Sequence, residues 1–152
     1  MRIPYDTLAP DGMKALGGVH AYVTRCGLEK PLVDLAYLRA SQINGCGYCV
    51  DAHSRDLLKA GVPVEKLLLL PVWRGTGGLF SERERAVLAW TESVTLVSET
   101  GVPDAEFSAV RSAFTDKEIA DLTIAVGLIN AYNRIAISFR RESSGPTVEH
   151  GR

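Results

Sequence analysis

The chain has no surplus of either charge: 17 Lys and Arg stand against 18 Asp and Glu. No basic stripe marks a nucleic-acid surface, so no nucleic-acid partner is expected. No run approaches the roughly eighteen consecutive apolar residues of a membrane-spanning helix, so no membrane partner is expected either. Aromatic residues are scarce, at 7%. No stretch alternates apolar and polar residues long enough to read as a strand. Cysteine is limited to Cys26, Cys46 and Cys49. So small and odd a number does not build a disulfide scaffold. A close cysteine pair in a reducing compartment points instead to catalysis or metal binding. The opening Met1-Arg2-Ile3-Pro4-Tyr5-Asp6 lacks the apolar core of a secretory signal, and the expected location is the cytoplasm.

What the sequence does contain is helix. Ala, Leu and Val carry most of the apolar content, a mix that favours helices over sheets. Residues 1–9 read as an irregular lead-in. Apolar positions then recur at helical spacing from Pro10 to about Arg25, and a second helix runs from Pro31 to Ile43 before Asn44-Gly45 breaks it. A third helix is predicted from Cys46 to Ala60, with Gly61 and Pro63 beyond its end. A short helix over 64–70 precedes a loop at 71–78 that holds Trp73 and Arg74. Ser81-Glu82-Arg83-Glu84 is a capping box that opens a helix to about Ser98. After a short helix at 104–114, a second capping box at Thr115-Asp116-Lys117-Glu118 opens a long helix to about Phe139. The last helix is apolar nearly all round, which calls for cover from several sides and implies oligomer packing. The chain therefore reads as one all-α, single-domain helical bundle over 1–140, with a polar, disordered tail at 141–152.

The chemistry concentrates in Cys46-Gly47-Tyr48-Cys49-Val50-Asp51-Ala52-His53. On one helix, positions i, i+3 and i+7 share a face, so two sulfurs and an imidazole lie on a single stripe. Cys46 falls at the predicted helix start, where free N–H groups and the positive dipole end stabilise a thiolate. By that argument alone Cys46 is the stronger nucleophile. A nearby histidine can take a thiol proton, and a second thiol one turn away can resolve a sulfenic acid as a disulfide. Three other readings of the same residues exist. The cysteines can be buried structural thiols. The triad with Asp34 can ligate zinc, although no second CxxC accompanies it. The CxxC can belong to a thioredoxin-like fold, which needs a preceding strand that the pattern does not show.

The stretch from Asp34 to Cys46, Asp-Leu-Ala-Tyr-Leu-Arg-Ala-Ser-Gln-Ile-Asn-Gly-Cys, resembles the alkylhydroperoxidase D / carboxymuconolactone decarboxylase-like family. Ser41, Gln42, Asn44, Gly45, Cys46, Cys49 and His53 match the family pattern. Trp73-Arg74, Phe80 to Glu84 and Asn130 to Arg134 resemble its small single-domain branch. The resemblance implies an all-α fold without metal or flavin cofactor, assembled as a homotrimer or homohexamer. It implies a small peroxide as substrate and a thiol reductant, dihydrolipoyl or thioredoxin-like, as partner. Cys49 would attack the peroxide, Cys46 would resolve, and His53 would relay a proton with Asp34. The family carries a glutamate at the position of Asp34, and some members carry a histidine at that of Tyr48. These departures leave a redox sensor or disulfide-exchange protein without efficient turnover as the alternative. The lactone decarboxylation in the family's name would leave both thiols without a role.

Among the other residues, His20 is expected to pack in the core and His150 to be inert in the tail. Cys26 is expected to be a structural thiol, and Trp73 and Arg74 to lie at a pocket rim or subunit contact. Asn130, Asn133 and Arg134 are expected to satisfy buried hydrogen bonds. Packing is the expected role of Tyr37 and Tyr48.

Overall fold

A computed structural model describes residues 1–143. Among them the secondary structure is entirely helical: α1 Tyr5–Leu8, α2 Pro10–Val23, α3 Lys30–Asn44, α4 Gly47–Lys59, α5 Val64–Leu69, α6 Glu82–Thr95, α7 Val97–Thr100, α8 Asp104–Arg111 and α9 Asp116–Ser138. The expected loop at 71–78 is two 3-10 turns, Leu70–Gly75 and Gly77–Leu79. The lead-in contains the helical turn α1, and the helix expected to reach Ser98 breaks at Leu96 into α6 and α7. Both capping boxes form, at Ser81 with Glu84 and at Thr115 with Glu118. No described helix is long and apolar enough to cross a membrane.

Helix α3 is the centre of the bundle and packs against α4, α6 and α9. Its residues from Leu32 to Leu38 are all buried, Asp34 among them. On one side Leu32 and Ala36 meet Val87, Trp90, Ile119, Leu122 and Val126. On another Leu35 and Leu38 meet Leu57, Leu70, Trp73, Phe80 and Leu88. Each such large side chain withdrawn from water contributes about 1.5–3 kcal/mol. Trp73 tethers this second cluster to a charged rim, donating its indole N–H to Glu92 while Arg39 and Arg74 bond the same carboxylate.

Two helices end in the same way. At the end of α3, Gly45 is left-handed (φ 71°), its N–H bonds Gln42 O, and Cys46 N–H bonds Ser41 O at 2.9 Å. At the end of α9, Arg140 is left-handed (φ 55°), its N–H bonds Ile137 O, and Arg141 N–H bonds Ala136 O at 2.9 Å. Both are Schellman turns, which satisfy the last carbonyls and swing the chain sharply away from the helix axis. The N-terminal segment holds the second turn in place. Arg2 N–H bonds Phe139 O at 2.7 Å, and the Tyr5 and Phe139 rings stack at 5.3 Å. Arg141 thus belongs to the folded body. The rest of the tail, from residue 144 with His150, lies outside the described residues.

Candidate functional site

The turn at Gly45 delivers Cys46 as the N-cap of α4, in extended conformation, with Cys49 one turn in. Both are unpaired and almost completely buried, against Ala136 and Tyr48. Beneath them lies a polar seam between α3 and α9. Asn133, wholly buried, donates to Ser41 Oγ at 3.0 Å and accepts from Asn44 Nδ2 at 2.9 Å. Asn44 Nδ2 also reaches Asn130 Oδ1, which accepts from Arg134. Asn130 and Asn133 thus make the expected inner hydrogen bonds within the chain, whereas Arg134 is exposed and bonds only its own helix at Asn130.

The seam and the pair together divide the charge unequally. The neighbouring Cys49 thiol, the Cys49 backbone N–H and the Asn133 amide favour a charge on the Cys46 sulfur. Those contacts overcome burial and bring Cys46 down to about 7. Cys49 is pushed up, because it holds the shared proton beside a charged neighbour and is itself desolvated. The helix-start argument for a Cys46 thiolate agrees with this direction.

Access divides the other way. Cys49 and His53 line a cavity of about 240 Å³ with Tyr5, Met13, Tyr48, Tyr132 and Arg141. The lining does not include Cys46. His53 also lines a second cavity, of about 230 Å³, with His20, Lys30, Asp34, Tyr37 and Asp56. The imidazole is therefore the partition between the two chambers. Burial holds its basicity below the ordinary histidine range, with Asp34 and Asp56 pulling weakly the other way. Its Nδ1 is buried and has no hydrogen-bond partner among the described residues; Asp56 comes to 3.9 Å. Asp34 is buried and ion-paired to Lys30.

The structure therefore brings Cys49 and His53 to one cavity, packs Cys46 against Cys49 outside its lining, and brings Asp34 to the second cavity that His53 lines. Asp34, His53 and Asp56 each offer one ligand atom within 4.8 Å of the others. One of the three, Asp34, is already ion-paired to Lys30, which competes with any cation for that carboxylate. Tyr37 and Tyr48 pack, as expected, and each also lines a chamber. His20 is corrected: it is exposed at the rim of the Asp34 cavity, because α2 turns most of its surface to solvent. Cys26 is half-buried and bonded to Val23 O. Arg141 and Tyr5 were not singled out by the sequence. Neither has a spacing relation to the cysteines, and only the folded termini bring them there.

Known proteins share this fold or parts of this sequence. The chain is 41% identical to a structure of a protein of unknown function from Agrobacterium tumefaciens, linked by name to AhpD antioxidant defence. That match has a TM-score of 0.92 and covers 95% of this chain and 99% of that one. It is 31% identical to the uncharacterized protein YdfG of Bacillus subtilis, over 90% of this chain and 92% of the relative. A 35-residue stretch is 51% identical to the alkyl hydroperoxide reductase AhpD of Coxiella burnetii, covering 23% of this chain and 20% of that protein. Residues 10–93, which hold α2, α3, α4 and both cysteines of the pair, match the sequence profile of the Carboxymuconolactone decarboxylase family, and the chain belongs to that family.

Proposed function

We propose that this chain is a thiol-dependent hydroperoxide reductase in which Cys49 attacks the peroxide, Cys46 resolves, and His53 passes the proton. The observation that carries this reading is the sharing of one cavity by Cys49 and His53, with Cys46 packed against Cys49 outside that lining. Cys46 is the poised base and Cys49 the accessible nucleophile. As Cys49 attacks the terminal peroxide oxygen, its proton moves to Cys46. The O–O bond breaks, Cys49 becomes a sulfenic acid, and the leaving alkoxide takes the proton from Cys46. The regenerated Cys46 thiolate attacks the Cys49 sulfur and expels hydroxide, which is protonated through His53. One dithiol has then given two electrons, and one peroxide with one added proton has become an alcohol and water. An external dithiol, dihydrolipoyl or thioredoxin-like, restores the pair by exchange.

The incoming proton enters from the chamber that holds Asp34, Lys30 and Asp56. Asp34 acts there as a positioning and proton-holding group. Its ion pair with Lys30 must loosen for it to serve His53, which makes this relay slower than a direct carboxylate–imidazole bond would be. The exposed apolar side chains of Val64, Leu68, Leu69 and Val72 support assembly of copies into a trimer or hexamer.

The test is peroxide consumption with dithiothreitol or a dihydrolipoyl donor. Cys49→Ser is expected to fall to the buffer rate, and thiolate absorbance in the wild type to titrate near 7 and vanish in Cys46→Ser. Equal consumption by wild type and Cys49→Ser refutes the reading. A disulfide that forms once without steady turnover moves the chain to the redox-sensor class.

A further inference from the structure

The peroxide chamber contains a cation that the thiol chemistry does not use. Arg141 lines it together with Cys49 and His53. Its guanidinium lies over the Tyr48 ring, 4.4 Å from the centroid, and donates to the Tyr5 hydroxyl at 2.7 Å. Among the described residues no carboxylate forms an ion pair with it; Asp6 is felt only at longer range. A guanidinium carries five N–H donors in a planar fork. Only one of them is taken here by a described side chain.

The backbone gives a second, independent observation. Arg141 reaches the chamber because Arg140 adopts φ 55°, a left-handed conformation that is strained for an L-residue and usually left to glycine. Strain retained beside a reactive centre marks a positioned group. The positioning is elaborate: Arg2 and Tyr5 fasten Phe139, Tyr5 bonds Arg141, and Tyr48, one residue before the nucleophile, supports the guanidinium face. A half-buried cation fixed by aromatic groups, with donors to spare and a thiol in the same cavity, is a receptor for a planar anion.

We propose that Arg141 selects the substrate: the chamber takes small hydroperoxides that carry a carboxylate, which the guanidinium grips while the O–OH group faces Cys49. This rests on the peroxidase reading and names its substrate class. The remaining walls, Met13, Ile129, Tyr132 and Ala136, suit a compact apolar or aromatic body between the two polar ends. A volume of about 240 Å³ admits a single ring more readily than a long acyl chain.

The experiment compares cumene hydroperoxide with its para-carboxylate derivative, which differ only in the anion. The wild type is expected to favour the carboxylate in kcat/KM by about tenfold or more, with most of the difference in KM. Arg141→Met is expected to bring that ratio to about one, and Arg141→Lys to an intermediate value. In the wild type, benzoate should compete with cumene hydroperoxide while benzamide does not, a readout that needs no variant. Absence of turnover with either peroxide defeats the peroxidase reading itself. Equal kcat/KM for both peroxides, or a preference that persists in Arg141→Met, overturns the proposal and leaves that reading intact. A carboxylate preference confined to the reductant, dihydrolipoate over dihydrolipoamide, also overturns it.

Discussion

The turns that end α3 and α9 share one hydrogen-bonding pattern and sit on either side of the same sulfur pair. The first uses Gly45 at its left-handed position and delivers Cys46. The second uses Arg140 there and delivers Arg141. The glycine turn forms from local preference alone. The arginine turn forms against local preference and is held by contacts with Arg2 and Tyr5, more than a hundred residues away in sequence. One places the chemistry, the other places its proposed selectivity, and the two were built to different standards of local consistency.

The sharpest way to separate the two turns is to remove the group between the chambers. His53→Gln is expected to lower peroxide turnover about a hundredfold while leaving the turns intact, as measured by stopped-flow consumption. The same variant reports on pH. His53 is held below the ordinary histidine range in the fold, so only well above about pH 6.5 are both the folded and the unfolded imidazole essentially free of the proton. As pH falls below that, the unfolded form protonates first and stability is lost. Urea midpoints at pH 7 and pH 5 should therefore fall further for wild type than for His53→Gln. A parallel fall in both would mean the imidazole is not held neutral.

Next in size comes the tie between the end of α3 and the body of α9. Asn133→Ala strips Ser41 and Asn44 of a buried partner and is expected to cost about 2–3 kcal/mol in denaturant unfolding. A loss below about 0.5 kcal/mol would show that the seam is not a structural tie. The smallest effects test the comparison directly. Gly45→Ala has open space for its methyl group, so its cost, about 1 kcal/mol, is purely conformational. Arg140→Gly should go the other way, gaining about 0.5–1 kcal/mol from relieved strain, read as a rise in Tm. Equal signs for the two would end the claim that one turn is relaxed and the other strained.

The difference also explains what the sequence disclosed. Asn44-Gly45, the two capping boxes and the 3.6-residue apolar periods are local signals, and the helices they predict are present with ends shifted by a few residues. Cys46, Cys49 and His53 were legible because a single helix carries all three. Asp34 is legible through a resemblance, which does not include its pairing with Lys30. Arg141 reads as part of a polar tail because Phe139-Arg140-Arg141 carries no glycine or asparagine to announce a turn. His20 misleads because its apolar neighbours on α2 are themselves largely exposed. Apart from the Lys30–Asp34 pair, whose partners are four residues apart, what escaped was decided by how distant parts of the chain pack.

The Tyr5–Arg141 bond spans 136 positions. During synthesis, α4 and its dithiol leave the ribosome long before the arginine is made. An unfinished chain thus holds the cysteine pair before Asn133 and Arg141 exist, so the contacts that favour charge on Cys46 and the proposed anion grip arise together, only once α9 and the segment after it are made.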